Sequence, residues 1–367
     1  MQTSRLSRKT WPPPGPAREA AGPAPVTSSS DSGFYFARRR ADDAGLARTL
    51  LSVTSGVATA PGGSVLRQRT IAEKVSCTGI GLHTGKPVQL SLHPARADSG
   101  IVFVRTDLLH PIEIPASPAA LSRTHLATTL GCGDATIDTV EHLLAALYGL
   151  GIDNVRVELD GPEVPGMDGS AASFVFLLRA AGVFHQAARR RVLRVRRPIE
   201  IRDGERWIRV EPARELRISY AIDFEHTLIG RQKLRDLVLD DGSFERELAR
   251  ARTFGFAEQV AALWRSGRAR GASLDNTVVL GGDRVLNRGG LRFPDEFVRH
   301  KALDLVGDLA LLGARVQGHV RVERGGHALH QRLVAALASV EAAERADLDA
   351  RAGHAPPIGV PGVVSPF

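Results

Sequence analysis

Two short segments of the chain carry side chains that can bind a catalytic metal ion. In His300-Lys-Ala-Leu-Asp304, the histidine and the aspartate are four residues apart. On a helix, this spacing places both side chains on one face, about a turn apart, so that both can reach one ion. In the second segment, Glu141 directly precedes His142. A catalytic zinc site needs three nitrogen or carboxylate ligands and a nearby carboxylate that accepts a proton, which makes these four residues a candidate set.

Each of these signals, taken alone, also fits an ordinary structural role. A histidine and an aspartate at this spacing usually form a hydrogen bond on the helix face, and adjacent Glu and His residues are common. Asp304 and Asp308 beside Lys301 could form a solvated acidic face, and His327, which follows two glycines, could lie in a surface loop. The residues by themselves therefore leave a metal site and a purely structural role open.

The hydrophobic pattern predicts that both segments lie on helices. In residues 139–149, apolar residues recur at helical spacing, with Asp138 as the expected N-cap and Gly149 to Gly151 as the expected end. The Glu-His pair would then lie in the first turn of this helix. The His/Asp pair would lie on a second helix, residues 296–312.

Strands precede helices in both halves of the chain. This repeated order predicts an α+β fold of two related α+β domains, each a small sheet packed on helices, with the active site at the domain interface. The predicted strands are residues 67–75, 88–92, 101–104, 154–159, 192–196, 199–202, 207–210, 216–222 and 319–323. The predicted helices are residues 139–149, 171–181, 257–265, 296–312 and 329–345.

Composition divides the 367 residues into four segments. Residues 1–65 are rich in Pro, Ala, Ser and Arg without a sustained period, which is typical of a disordered extension. The length that remains suits two compact domains, which we place at 66–191 for the N-terminal domain and 192–345 for the C-terminal domain. Residues 346–367 contain several prolines and are predicted to form a loose C-terminal tail.

Charge and cysteine content restrict the classes of partner and the compartment. Of the net charge of +8, half lies in residues 1–65, which hold eight basic and four acidic residues, and aromatic residues make up only 5%. We therefore expect no nucleic-acid-binding surface. The only cysteines, Cys77 and Cys132, do not suggest a disulfide framework and predict a reducing compartment, the cytoplasm. Because no run of 18 apolar residues occurs, any membrane contact would be peripheral.

Six segments, in order along the chain, together resemble the UDP-3-O-acyl-N-acetylglucosamine deacetylase family. The resemblance extends over about residues 68–344. The segments are Gly81-Leu-His-Thr-Gly85, Thr139-Val-Glu-His-Leu143, Met167-Asp-Gly-Ser-Ala171, Ala251-Arg-Thr-Phe-Gly-Phe256, Asp295-Glu-Phe-Val-Arg-His-Lys301 and Gly326-His-Ala-Leu329.

The resemblance implies a zinc-dependent amidohydrolase with one Zn2+ ion per chain. Such an enzyme removes the N-acetyl group of a UDP-linked, 3-O-acylated glucosamine and releases acetate, in the committed step of lipid A synthesis. In the family, one catalytic carboxylate acts as the general base, a second orients the catalytic histidine, and a hydroxyl helps to hold the oxyanion. By position, the zinc ligands match His142, His300 and Asp304, and these catalytic residues match, in turn, Glu141, Asp308, His327 and Thr253.

The resemblance also implies contacts with an anionic, lipidic substrate. Lys301, Arg324 and Arg206 are candidates for the diphosphate, although exposed charges such as Arg206 equally fit a solvated surface. A hydrophobic passage for the acyl chain is expected after Phe254, where the apolar residues could also be the core face of a short helix. The substrate-binding candidates are Lys301, Phe254, His83, Arg324, Arg206, Ala257, Val260, Ala272 and Ser273.

Two other functions are open from the sequence. A zinc amidase could act on another N-acetyl sugar, in which case only the passage and the UDP contacts would differ. A binding module for RNA or an anionic membrane would use the basic charge and leave the His/Asp pairs structural, without zinc. The deacetylase interpretation predicts a monomer that acts on a small molecule, binds no nucleic acid and has at most peripheral contact with the inner membrane.

Overall fold

The structure, a computed structural model, describes residues 66–353, in which strand-rich and helical segments alternate. The strands are β1 (Arg67–Ile71), β2 (Val75–Ile80), β3 (Pro87–Pro94), β4 (Ile101–Arg105), β5 (Ile112–Pro115), β6 (Leu121–Arg123), β7 (Thr129–Cys132), β8 (Ala135–Ile137), β9 (Val155–Leu159), β10 (Val183–Arg189), β11 (Val192–Arg194), β12 (Ile199–Asp203), β13 (Arg206–Glu211), β14 (Leu216–Asp223), β15 (Arg231–Val238), β16 (Phe254–Phe256), β17 (Val278–Leu280) and β18 (Arg315–Glu323). The helices are α1 (Glu141–Gly149), α2 (Ala172–Ala181), α3 (Asp241–Ser243), α4 (Val260–Arg265), α5 (Glu296–Ala310) and α6 (His327–Gly353). Two 3-10 turns (Pro118–Ala120, Ala257–Gln259) and a π-helical turn (Phe244–Leu248) complete the elements.

Each half of the chain builds one main sheet, and the two sheets share the same topology. In the first half, the strand order is β2-β3-β9-β4-β5, with β4 and β9 parallel and the other pairs antiparallel. In the second half, the order is β12-β13-β18-β14-β15, again with a single parallel pair, β14 and β18, on this path. The prediction of an α+β fold with two related halves is therefore confirmed.

The helices α1 and α5, one from each half, pack directly against each other. Every residue of α1 is buried, and α5 buries all but two of its residues. A helix that is apolar on all sides belongs to a protein core, which explains the run of leucines and alanines in α1. Gly307 allows the close approach, because a Cβ atom there would lie only 2.1 Å from the carbonyl oxygen of Glu141. The Glu-His pair and the His/Asp pair are thus brought face to face.

The start of α1 differs from the prediction. Val140 precedes the helix, so the expected N-cap role of Asp138 is wrong. The Asp138 carboxylate instead accepts hydrogen bonds from Thr129 and Arg123. Thr139 has a φ of 60°, a left-handed conformation that cannot continue a right-handed helix, and for this reason α1 begins at Glu141.

Other element boundaries also shifted. The predicted strand 67–75 is two strands, because β1 pairs with β10 while β2 pairs with β3. The predicted helix 329–345 is α6, which runs from His327 to Gly353 and extends into the segment predicted as a tail. The extension 1–65 and residues 354–367 lie outside the described residues. Among the helices that the structure describes, none has the length and apolar character needed to span a bilayer.

Candidate active site

Three potential metal ligands converge where α1 faces α5. The Nε2 atoms of His142 and His300 lie 3.7 Å and 3.4 Å from Oδ1 of Asp304, and the two imidazole rings are 5.0 Å apart and nearly perpendicular. All three side chains are buried, and their ligand atoms lie within 4.8 Å of one another. Two nitrogens and one carboxylate oxygen that point at a common centre form the donor set of a catalytic zinc site.

The polar atoms of this group fit a cation. Oδ1 of Asp304 is buried and has no hydrogen-bond partner among residues 66–353, while Oδ2 accepts a hydrogen bond from Lys301 at 3.0 Å. The Nδ1 atom of His300 donates to the carbonyl of Ala251 at 3.1 Å, which leaves Nε2 with a free lone pair in the neutral ring. A buried polar atom without a partner is costly, so a cation bound between these atoms would remove the penalty.

The protonation states of the three residues also suit metal binding. Burial, together with the neighbouring His300, lowers the pKa of His142 to about 3, and burial lowers the pKa of His300 as well. Burial disfavours the charged form of Asp304, but the neighbouring His300 and Lys301 outweigh it and hold the pKa of this carboxyl well below its usual range. Neutral histidines and an ionised carboxylate are the forms that bind metals.

Glu141 lies beside the potential ligands, and its carboxyl group is buried. It is almost fully buried, and its Oε2 accepts the backbone N–H of Thr128 at 3.0 Å. Burial raises the pKa of Glu141 to about 7. A carboxyl group with a pKa near neutrality is suited to accept and return a proton during catalysis.

His327 faces the same centre from the first turn of α6. Its Nε2 lies 4.0 Å from Oε1 of Glu141 and 3.9 Å from Oδ2 of Asp304, and its Nδ1 donates to Oδ2 of Asp308 at 2.9 Å. Burial disfavours the charged ring, but Asp308 and the other nearby carboxylates outweigh it and raise the pKa of His327 to about 9. His327 is therefore an imidazolium at neutral pH and can donate a proton from Nε2.

Asp308 is the buried anchor of this histidine. Its carboxylate accepts from Thr128 Oγ1 (2.6 Å) and Gln331 Nε2 (2.8 Å) on Oδ1, and from the Nδ1 atoms of His327 (2.9 Å) and His330 (2.8 Å) on Oδ2. Burial opposes ionisation of Asp308, but His327 and these hydrogen bonds outweigh it and lower the pKa to about 2. Thr128, His330 and Gln331 were not predicted from the sequence, because no local pattern distinguishes them.

Backbone hydrogen bonds to two other segments of the chain hold Thr253 at the site. Its N–H donates to the carbonyl of Gly169 and its own carbonyl accepts from Val278, both at 2.8 Å. Gly169 has a φ of 78°, and a Cβ atom there would lie 1.7 Å from the carbonyl oxygen of Asn276. Only glycine fits this position, which explains why the Met167-Asp-Gly-Ser170 turn is needed to place Thr253.

A cavity of about 430 Å³ opens onto these groups. Five of the nine predicted substrate-binding residues line it, whereas four lie outside its lining. Those that line it are Lys301, Phe254, His83, Arg324 and Arg206. Those outside are Ala257, Val260, Ala272 and Ser273, which belong to the segment around α4.

The basic residues of the cavity differ in their ion-pair partners and in their exposure to solvent. Lys301 is bound to Asp304, whose charge outweighs the effect of burial and raises the pKa of the lysine, and its ammonium lies 5.9 Å from the centre of the Phe254 ring. Arg206 donates to Asp203 at 2.6 Å, and Arg324 donates to Asp223 at 2.7 Å. The two arginines are at least one-third exposed, so their ion pairs are weak.

His83 is fixed by a buried carboxylate. Oε1 of Glu163 accepts the N–H of His83 at 2.7 Å and the hydroxyl of Thr139 at 3.1 Å, while Oε2 accepts the N–H of Thr84 at 2.8 Å. Glu163 thus ties the Gly81-Leu-His-Thr-Gly85 turn to the segment that enters α1. Two of the sequence segments singled out above are in this way joined at one wall of the cavity.

A buried group of potential metal ligands, a carboxyl group with a raised pKa and a histidine paired with a carboxylate, all around one cavity, are typical of metal-dependent hydrolases. Comparison with known proteins gives the same answer in more detail. The family model described as LpxC, UDP-3-O-acyl N-acetylglycosamine deacetylase, matches residues 68–339.

Three curated relatives, each named UDP-3-O-acyl-N-acetylglucosamine deacetylase, are similar over most of their length. The protein of Anaeromyxobacter sp. (strain Fw109-5) is 53% identical over 73% of this chain and 87% of its own. The Myxococcus xanthus protein is 52% identical over 74% and 86%, and the Acidithiobacillus ferrooxidans protein 48% over 74% and 90%. The chain belongs to the UDP-3-O-acyl-N-acetylglucosamine deacetylase family, whose members are amidohydrolases.

Proposed function

We propose that this chain hydrolyses the N-acetyl group of UDP-3-O-acyl-N-acetylglucosamine with the help of zinc. The products are acetate and UDP-3-O-acyl-glucosamine, in the committed step of lipid A biosynthesis. The observation that carries the proposal is Oδ1 of Asp304, which has no hydrogen-bond partner in the described part of the chain and faces two histidine nitrogens beside Glu141 and His327. Family membership supplies the substrate class.

His142, His300 and Asp304 are the proposed zinc ligands, with one ion per chain. Two histidine nitrogens and one carboxylate oxygen are the donor set that would hold a catalytic zinc ion. The bound ion would supply Lewis acidity, which would lower the pKa of water and polarise a carbonyl oxygen. Lys301 donates to the far oxygen of Asp304 and so directs Oδ1 at the two histidines.

Glu141 and His327 divide the proton transfers between them. Glu141, as a carboxylate, accepts the proton of the attacking water, and its hydrogen bond from Thr128 fixes the orientation of the carboxyl group. His327 carries an N–H on Nε2, which lies 4.0 Å from Oε1 of Glu141. Together with the hydroxyl of Thr253, it stabilises the negative charge that develops on the carbonyl oxygen. Protonated Glu141 and His327 are the two groups that can protonate the leaving amine.

The remaining substrate-binding candidates are proposed to contact the nucleotide, the sugar and the acyl chain. Lys301, Arg324 and Arg206 line the cavity with positive charge, which suits the diphosphate, and His83 and Phe254 contact the sugar end of the substrate. The acyl chain continues toward the segment around α4. There the proposed contacts are Ala257, Val260, Ala272 and Ser273, which lie outside the cavity that holds the ligands.

We place the reaction in the cytoplasm and propose that the enzyme acts as a monomer. A substrate with a sugar nucleotide and a single acyl chain needs no more than peripheral contact of the enzyme with the inner membrane. The charge and aromatic content of residues 66–367 do not favour a nucleic-acid partner.

The decisive experiment is an acetate-release assay on UDP-3-O-acyl-N-acetylglucosamine, with the full-length protein before and after treatment with a chelator. We expect chelation to abolish turnover and zinc to restore it. His300→Ala should lose the zinc, whereas His319→Ala, which changes a histidine outside the site, should keep it. Glu141→Gln should keep the zinc and lose a factor of about 10² or more in kcat.

Three results would contradict the proposal. Turnover that is insensitive to the chelator would exclude a requirement for metal. Stoichiometric zinc in His300→Ala would exclude His300 as a zinc ligand. Faster release of acetate from a different N-acetyl sugar would change the substrate.

A further inference from the structure

A second buried histidine, His330, forms a hydrogen bond with Asp308, the carboxylate that binds His327. Its Nδ1 lies 2.8 Å from Oδ2 of Asp308, the same oxygen that binds Nδ1 of His327. Its Nε2 lies 2.9 Å from the hydroxyl of Tyr220 on β14. Both His330 and Tyr220 are almost fully buried, and neither belongs to the described residues that line the cavity.

The hydrogen-bond pattern specifies one tautomer of His330. An ionised carboxylate only accepts hydrogen bonds, so the Nδ1 of His330 must carry the proton that it donates to Asp308. Burial lowers the pKa of His330, so the ring is neutral and its Nε2 is an acceptor. The Tyr220 hydroxyl must then donate to Nε2, and it stays protonated because burial raises the pKa of the phenol well above its usual value.

With His330 in place, Asp308 has no free acceptor position. A carboxylate offers about four lone-pair sites, and four side chains occupy them: Thr128 and Gln331 on Oδ1, His327 and His330 on Oδ2. A group held by four donors cannot rotate without breaking a charge-assisted hydrogen bond. The direction of Oδ2 fixes the plane of the His327 ring and hence where Nε2 points in the cavity.

The backbone around the pair is shaped for this contact. Gly325 lies just before α6, and a Cβ atom there would lie 2.9 Å from the Tyr220 hydroxyl, 3.4 Å from Nε2 of His330 and 2.3 Å from Val322. The chain therefore passes directly over the hydrogen bond between Tyr220 and His330 and excludes water from it. The rings of Tyr220 and His330 meet edge to face, with centroids 5.8 Å apart.

We propose that His330 is a positioning residue of the reaction: the Tyr220 hydroxyl holds it as the Nδ1–H tautomer, and in this form it fixes Asp308 and through it His327. This inference rests on the proposed function, since it assigns His327 to catalysis. The role is indirect, because His330 and Tyr220 act on the substrate only through the carboxylate between the two histidines.

The kinetic test compares His330→Leu, His330→Asn and Tyr220→Phe. Leucine removes the donor to Asp308, and we expect kcat to fall on the order of tenfold or more with KM unchanged within about twofold. Asparagine restores an N–H donor of similar reach, so this variant should recover most of the lost kcat. Tyr220→Phe removes the donor to Nε2, which together with Asp308 holds the ring in this tautomer, and its kcat should fall between those of the two His330 variants.

A matched control, His319, is available in the sheet that contains Tyr220. His319 is also mostly buried, and its Nε2 lies 2.9 Å from the hydroxyl of Ser219, but it is not part of the Asp308 network. His319→Leu should therefore leave kcat unchanged. Zinc content and melting temperature measured on every variant separate a loss of fold or metal from a loss of positioning.

A second measurement does not depend on turnover. In protein labelled with ¹⁵N-histidine, long-range proton–nitrogen correlation spectra distinguish the two neutral tautomers, and the His330→Asn variant assigns the signal. We expect His330 in the Nδ1–H form in the full-length protein. The Nε2–H form, a kcat of folded His330→Leu within twofold of the original, or an Asn variant no better than the Leu variant would each overturn the proposal. Because the tautomer and the zinc content need no substrate, failure of the proposed function would be recognised separately.

Discussion

At the scale of single residues, one physical effect, burial, acts in opposite directions on neighbouring groups of the site. Burial raises the pKa of Glu141 to about 7 and lowers the pKa of His142 to about 3, because in each case it disfavours the charged form. His327 is equally buried, yet the adjacent carboxylates raise its pKa to about 9. The site thus keeps His142, a proposed metal ligand, neutral and His327 charged within one cavity.

These shifts predict a bell-shaped dependence of kcat/KM on pH. As the proposed base, Glu141 must be ionised to accept a proton, so kcat/KM should rise with pH up to about 7. His327, as the proposed donor to the oxyanion, must be protonated, so kcat/KM should fall above about pH 9. A bound divalent cation favours the ionised form of Glu141 and the neutral form of His327, which moves both limbs to lower pH.

The profile can be measured at constant ionic strength with saturating zinc. His327→Gln should lose the descending limb and keep the ascending one. A profile of His327→Gln that lacks the ascending limb would contradict the proposed assignment of Glu141 as the base.

The residues of the site were predictable from the sequence only where short motifs carry them. The segments around Glu141, His300 and His327 contain several chemically distinctive residues within a few positions, and the structure gathers them at one cavity. Thr128 and Tyr220 have no such context. Their partners Asp308 and His330 lie 180 and 110 residues away, so only the folded chain reveals the hydrogen bonds.

At the scale of elements, the site depends on the distance between α1 and α5. Each helix contributes part of the ligand set, and a difference of a fraction of an ångström between them changes the separation of the ligand atoms. Gly307 is a point of close approach, since it lies on α5 between Asp304 and Asp308 and faces the backbone of Glu141.

Gly307→Ala should therefore weaken metal binding although it touches no ligand. The added Cβ would lie 2.1 Å from the carbonyl oxygen of Glu141, so α1 and α5 must move apart, at a cost of about 1–3 kcal/mol of stability. We expect a lower melting temperature and a weaker affinity for zinc, measured by competition with a chromogenic chelator.

Gly289→Ala is the control for this substitution. Gly289 is exposed, and among the described residues a Cβ atom there meets nothing within 4 Å. If Gly307→Ala bound zinc as tightly as Gly289→Ala, close helix packing would not be what sets the geometry of the ligands.

Elements with a regular hydrophobic period were predictable, whereas those set by tertiary contacts were not. Strands β3 and β4 contain the predicted residues 88–92 and 101–104. In β3 exposed and buried residues alternate from Pro87 to Leu90, whereas β4 is a short, mostly apolar run that is half-buried or buried throughout. The short strands β16 and β17, which hold the Thr253 segment, have three residues each and too little sequence for a period. The start of α1 was misplaced because the left-handed conformation of Thr139 leaves no signal in the sequence.

At the scale of the whole molecule, the two topologically matched sheets explain why the site lies between the halves. Each half supplies one of the two central helices, and a single hydrophobic core extends through both. Ligands drawn from opposing rigid elements are held more firmly than ligands on loops. His142 comes from the first half and His300 from the second, so the proposed metal site forms only when both halves are packed together.

The same organisation predicts which part of the chain is dispensable for catalysis. All residues that line the cavity lie between positions 82 and 332, and the family match begins at residue 68. Deletion of residues 1–60 should therefore leave kcat and KM within about twofold of the full-length values and change the melting temperature by no more than about 2 °C.

Deletion of residues 1–72 is the matched control, because it also removes β1. This strand pairs with β10 across the end of the first half, buries Ile71 completely and places Gln68 in hydrogen bonds with Asp98 and Asn154. Its loss should lower the melting temperature by about 5 °C or more, since buried apolar area and several hydrogen bonds are lost together. A tenfold loss of kcat already in the shorter deletion, at unchanged melting temperature, would instead assign a catalytic or substrate-binding role to residues 1–60.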